Sequence, residues 1–92
     1  MEDLNAFQRD LLYVNESVGE ASGLEIKDVL DSHYDEEIDT SRLYPNLDEL
    51  VDRGLIDKGS IDGRTNSYTL SEEGHQALAA RREWEESLKP TD

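Results

Sequence analysis

Leu4, Phe7, Leu11, Val14 and Val18 recur at three- and four-residue intervals, the spacing of one apolar stripe on an α-helix. Asn5 and Gln8 stand three apart at its start, as a capping box requires, and Gly19 supplies a stop. Leu12 and Tyr13 lie off the stripe and predict a second, partly buried face. After a short loop to Gly23, Leu24, Ile26, Val29, Leu30 and Tyr34 mark a second helix with Ser22 as its cap. The polar run DEEID connects it to a third, which starts near Thr40 or Ser41 and carries Leu43, Leu47, Leu50 and Val51 up to Gly54. Leu55 and Ile56 then open one strand, Tyr68 and Leu70 belong to another, and Asp62-Gly63 suits a tight hairpin turn between them. Ser71-Glu72-Glu73 has the form of a helix start, with a cap hydroxyl and two acids at the positive end of the dipole. This last helix runs to about Leu88, and Pro90 closes it. The pattern reads helix, helix, helix, hairpin, helix: an α+β chain, mainly α.

The third helix sorts its residues by chemistry as well as polarity. At about 100° per residue, Leu43, Leu47, Leu50 and Val51 share one side, while Ser41, Pro45, Asp48 and Asp52 share the other. The acids fall in the later turns. The first turn offers Thr40, Ser41 and Arg42, with Tyr44 and Asn46 at the margins. A helix that enters a DNA major groove reads bases with its N-terminal residues, so the turn that would approach the duplex is the turn nearly free of carboxylates. Pro45 is tolerable there: with Ser41 as cap, its missing N–H removes one early hydrogen bond. The hairpin tip adds Lys58, Arg64, Thr65, Asn66 and Tyr68 against the single acid Asp62, a set of donors suited to phosphate oxygens or the minor groove.

Charge changes the picture. Twenty-three acids oppose nine bases among 92 residues, for a net charge of −14. The acids are spread through periodic helical segments, which excludes a disordered acidic tail. Six of the nine bases are Arg and three are Lys. An acidic, lysine-poor surface fits a cytoplasm at molar salt, where the Debye length falls to about 3 Å and like-charge repulsion is screened. With 35% apolar residues and one Trp the core is thin, and pairing with a second copy would supplement it.

The segments RLYPNLDELVDRGLI and GRTNSYTLSEEG resemble the PadR-like winged helix-turn-helix transcriptional regulators, in the short form found in halophilic archaea. The most specific piece is Leu43-Tyr44-Pro45, followed by Gly54-Leu55-Ile56 and by Tyr68-Thr69-Leu70 before Gly74. The resemblance implies a winged helix-turn-helix over residues 1–70 and a C-terminal dimerisation helix over residues 71–92. It implies a homodimer on double-stranded operator DNA, with the third helix in the major groove and the hairpin as wing. The DNA-binding candidates are Thr40, Ser41, Arg42, Tyr44 and Asn46 with Lys58, Arg64, Thr65 and Asn66. For dimerisation they are Leu4, Phe7 and Leu11 with Ala77, Arg81, Trp84 and Leu88. Ala77, Ala80, Trp84 and Leu88 share a helical stripe, and a Trp projecting from so small a domain points to burial against a partner. The acidic Ser71-Glu72-Glu73 departs from the more basic relatives. Contacts through hydroxyls, amides and few arginines are expected, with salt cations bridging carboxylates to phosphates.

Other chemistry finds little support. Without Cys there is no disulfide or thiolate metal site, which predicts a cytoplasmic protein. No run of apolar residues is long enough to span a membrane, and MEDLNAFQRD lacks the pattern of a secretion signal. His33 and His75 stand far apart, HYDEE lacks the spacing of a calcium loop, and GEASG lacks the Lys-Ser/Thr element of a phosphate loop. No metal, cofactor or enzymatic activity is expected. Two classes remain: a dimeric transcriptional regulator, most simply a repressor, and a winged-helix module that engages proteins without binding DNA.

Overall fold

A computed structural model describes residues 3–90. Its elements are α1 (Ala6–Val18), α2 (Gly23–Tyr34), α3 (Thr40–Asp52), β1 (Ile56–Ser60), β2 (Asn66–Leu70) and α4 (Glu72–Ser87). Local capping chemistry fixes several ends. Asn5 and Gln8 form the capping box of α1, Ser22 and Glu25 form that of α2, and the Ser71 hydroxyl caps α4 by accepting from Gly74 N–H. None of the described helices is long and apolar enough to cross a membrane.

α1 lies at the centre, against α2, α3, β2 and α4. A helix with so many neighbours buries more than one stripe, so Leu12 is as fully enclosed as Leu11 and Asn15 is buried with them. Val18, at the end of the expected stripe, is 36% exposed, because the core lies nearer the middle of the helix. On α2, Ile26 and Leu30 point inward while Leu24 and Val29 remain exposed. The DEEID connection is anchored by Ile38, whose side chain is buried and whose N–H donates to Asp31 Oδ1 at 2.7 Å.

Two boundaries differ from expectation. The cap of α3 is Asp39, whose carboxylate accepts from Ser41 N–H at 2.9 Å, so Thr40 and Ser41 are already helical. The helix continues unbroken through Pro45. The hairpin is joined by residues 61–65 rather than by a two-residue turn. Ile61 N–H donates to Thr65 O, the Asp62 carboxylate accepts from the N–H groups of Arg64 and Thr65, and Gly63 alone in the loop takes a positive φ, +82°. A side-chain acceptor thus does the work that a second positive-φ residue does in a tighter turn.

The wing is tied to the body by a bridge that local sequence does not announce. Ala21 and Tyr68 exchange both backbone hydrogen bonds, at 3.1 and 2.8 Å. Asn15 reinforces it by donating to Tyr68 O and Gly19 O, each at 3.0 Å. The start of α4 is stitched to the end of α3 in the same manner: Ser71 N–H donates to Leu55 O and its hydroxyl donates to Gly54 O.

Two carboxylates, Asp31 within α2 and Asp39 at the cap of α3, make the fold acid-sensitive. Asp31 is held below the usual carboxylate range by Lys27 and then by Ile38 N–H, and Asp39 by Ser41 N–H. A depressed folded pKa means that the contribution is fully present above the unfolded value, about 3.9 for Asp, and is lost as pH falls through the lower folded value. Thermal melts followed by circular dichroism should therefore give a level midpoint at neutral to mildly acidic pH and a falling one below about pH 4. A midpoint that holds or rises on acidification through that range would refute the assignment.

Candidate nucleic-acid interface

The exposed start of α3 and the wing meet at one face. Thr40 and Ser41 are open to solvent, and no acid lies in the first helical turn. The cap itself is Asp39, so one carboxylate stands nearer this surface than the sequence reading allowed, with an oxygen engaged on Ser41 N–H. Arg42 is exposed, and its guanidinium rests 4.0 Å above the centroid of the Phe7 ring, in cation–π contact. That contact aims the side chain along the α1 side of the helix.

Tyr44 is half-buried against Gly23: a Cβ built on that glycine would lie 2.6 Å from Tyr44 Cε1 and 2.9 Å from its hydroxyl. Glycine is therefore required at position 23 for the ring to lie where it does. Tyr44, Thr65 and Asn66 line one cleft of about 240 Å³ with Ser22, Gly23, Leu24 and Tyr68. Residues from α2, α3 and the wing thus converge. Arg64 projects from the exposed loop between the strands.

Two candidates point elsewhere. Asn46 is half-buried and its amide is occupied inside the protein. Its Nδ2 donates to Arg42 O at 2.7 Å, and its Oδ1 accepts from Gln8 Nε2 at 3.1 Å. The reason is the closeness of α1, whose buried Gln8 also donates to Glu49. Lys58 lies in β1 opposite Tyr68, away from the tip, and its Nζ sits 3.5 Å from Asp48 Oδ1. Asp48 is thereby partly neutralised, and so is the lysine.

The dimerisation candidates divide. Leu4, Phe7 and Leu11 are 4%, 5% and 0% exposed and fill the protomer's own core, so the expectation that they face a partner is corrected. They are consumed because α1 is the central helix. On α4 only Gly74 and Leu78 are buried. Ala77 and Arg81 are half-buried, while Trp84 and Leu88 remain 47% and 61% exposed. The Arg81 guanidinium lies 4.4 Å from the Trp84 ring centroid.

Tyr68 was read only as a strand residue and a wing donor, yet it is 1% exposed. Burial pushes its phenol above the ordinary value, with Asp48 and Tyr44 acting in the same direction. Its β-strand spacing from Leu70 marked the inward face but gave no sign of the cleft it lines.

The profile of the PadR-like family of transcriptional regulators matches residues 11–80, which include the later part of α1, all of α2, α3 and the wing, and the start of α4. The chain belongs to the PadR-like family. Among solved structures, H. salinarum RosR grown from NaBr is 44% identical, with 98% of this chain and 81% of that chain covered and a TM-score of 0.89. H. salinarum RosR in the complex hsRosR-S1 is 45% identical over 94% of this chain and 76% of that chain, with a TM-score of 0.88. Bacillus subtilis PadR in complex with operator DNA is 26% identical over 96% of this chain and 51% of that chain, with a TM-score of 0.71. No curated protein matches the chain. The PadR-like assignment makes it a transcriptional regulator rather than an enzyme, on a winged-helix fold.

Proposed function

We propose that this PadR-like regulator is a cytoplasmic homodimer that represses transcription by binding operator DNA. The first turn of α3 enters the major groove, and the hairpin lies along the backbone or in the minor groove. Residues 1–70 form the DNA-binding unit, and residues 71–92 supply the dimerisation helix. The observation that carries the reading is the convergence of Tyr44 from α3 with Thr65 and Asn66 from the wing on one cleft, beside the exposed Thr40 and Ser41. Two elements that must touch a duplex together are adjacent, and their exposed groups are mostly neutral donors. The exposed Trp84 and Leu88 on α4 support pairing of two copies.

The net charge of −14 shapes the binding. Few phosphates are neutralised by cationic side chains, and salt cations bridge some carboxylates to the duplex. Affinity measured by fluorescence anisotropy from about 0.5 to 3 M KCl should accordingly fall little or rise, because the counterion-release slope scales with the number of phosphates neutralised. A steep decline with the slope of a basic repressor would contradict this.

Genome-wide crosslinking in cells at their native salt, followed by recovery of the bound DNA, tests the function itself. Enrichment of discrete promoter segments sharing a two-fold sequence is expected. Recovery of proteins with no enriched DNA would favour the alternative, an interaction module that does not bind DNA.

A further inference from the structure

Twenty-three acids compete for nine bases in this chain, so a base left without a partner is the exceptional case. Among the described residues, Arg64 is that case. Every other Lys and Arg side chain meets a carboxylate, a main-chain carbonyl or an aromatic face within the protein. The Arg64 side chain is exposed in the wing loop and meets none of these.

The acid nearest to it in sequence, Asp62, is turned to another use. Its Oδ1 accepts from the main-chain N–H of Arg64 at 3.0 Å and from that of Thr65 at 2.9 Å. The Thr65 N–H first, and then that of Arg64, hold its carboxyl below the usual carboxylate range. Two further bonds close the loop: Gly63 N–H donates to Ser60 Oγ at 2.7 Å, and Ile61 N–H donates to Thr65 O at 2.9 Å. The one carboxylate at the wing tip is thus spent on the loop backbone instead of on the guanidinium two residues away.

We infer that Asp62 is a positioning residue for DNA recognition: by accepting from the Arg64 and Thr65 N–H groups, its Oδ1 holds the wing loop in the shape that leaves the Arg64 guanidinium unpaired and presented to the duplex. The inference rests on the DNA-binding reading and adds to it the role of an acid that stands where repulsion from phosphates would be expected. At molar salt the Debye length is about 3 Å, so that repulsion is largely screened while the short-range bonds of the loop are kept. What the loop needs from Asp62 is one oxygen acceptor and not its charge. Asn supplies the same acceptor and favours the same local turn; Ala supplies none.

The test measures the affinity of the full chain for a crosslinking-recovered duplex by fluorescence anisotropy in molar KCl. Arg64→Ala should weaken binding about tenfold or more, the scale of one charge-assisted hydrogen bond. Asp62→Ala should weaken it to a similar degree, and Asp62→Asn should bind as the wild type does. Because Asp62 acts through Arg64, the double variant Asp62→Ala with Arg64→Ala should bind no more weakly than Arg64→Ala alone. Asp62→Gly also lacks the acceptor and takes the place of Asp62→Ala if that variant does not fold. Wild-type affinity in Asp62→Ala or in Arg64→Ala would overturn the inference. So would an Asp62→Asn variant as weak as Asp62→Ala, or a double variant that loses the product of the two single effects. Each of those results leaves DNA binding itself standing, whereas failure of the wild-type chain to bind any duplex would overturn both.

Discussion

Trp84→Glu should convert the proposed dimer to a monomer and remove most of the affinity for an operator. Trp84 is 47% exposed in the protomer and its ring lies against the Arg81 guanidinium, so the change takes little from the protomer's own core. In a dimer it would place a carboxylate inside an apolar contact already crowded by acids, with Glu83, Glu85 and Glu86 on the same stretch of helix. Light scattering should give a mass near the 10.5 kDa of one chain, with the helical circular dichroism retained. Two linked half-site contacts exceed one by about 10²–10⁴ in apparent affinity, so the loss on DNA should fall in that range. An unchanged dimer would remove α4 from the interface, and with it the division between DNA-binding unit and dimerisation helix.

Gly74→Ala should be the most damaging small substitution for folding. Gly74 is buried in the first turn of α4, and a Cβ there would meet Leu55 O at 2.3 Å and Leu70 Cδ1 at 2.6 Å. The first of these is backbone, held in place by Ser71 N–H, so it has little freedom to retreat. Helix propensity favours Ala over Gly by about 1 kcal/mol and works against the clash. Overpacking costs about 1–3 kcal/mol or more, and here the obstacle is main chain, so the clash wins. At about 4–8 °C per kcal/mol for a domain of this size, the melting midpoint should fall by about 10 °C. A midpoint that stays or rises would show that α4 does not pack so tightly on the Leu55 turn.

What the sequence disclosed and what it concealed follow from the range of the interactions. The capping box of α1, the Ser22 and Ser71 caps and the leucine face of α3 were legible because their parts lie three or four residues apart, whereas the Glu25 half of the α2 box went unread. The cap of α3 was misplaced because Asp39, Thr40 and Ser41 are all good caps, and neighbouring residues alone did not choose among them. The loop 61–65 was shortened to a tight turn because Asp62-Gly63 satisfies both geometries. The roles of Asn15 and Tyr68 were hidden, since their bonds join residues 53 positions apart in the chain. The same holds for the candidate site. Exposure of Thr40, Ser41 and Arg64 could be read from helical phase and loop position, whereas the inward turn of Asn46 depends on Gln8, 38 residues earlier. Leu4, Phe7 and Leu11 were offered to a partner because an apolar stripe does not say which neighbour covers it.

The measurement closest to the central claim is a hydroxyl-radical footprint of the full chain on a duplex recovered by crosslinking. If two protomers present their α3 starts and wings together, two protected patches should appear on one face of the DNA, with centres about 10–10.5 base pairs apart or a whole multiple of that spacing. A single patch, or two patches on opposite faces of the helix, would contradict the account.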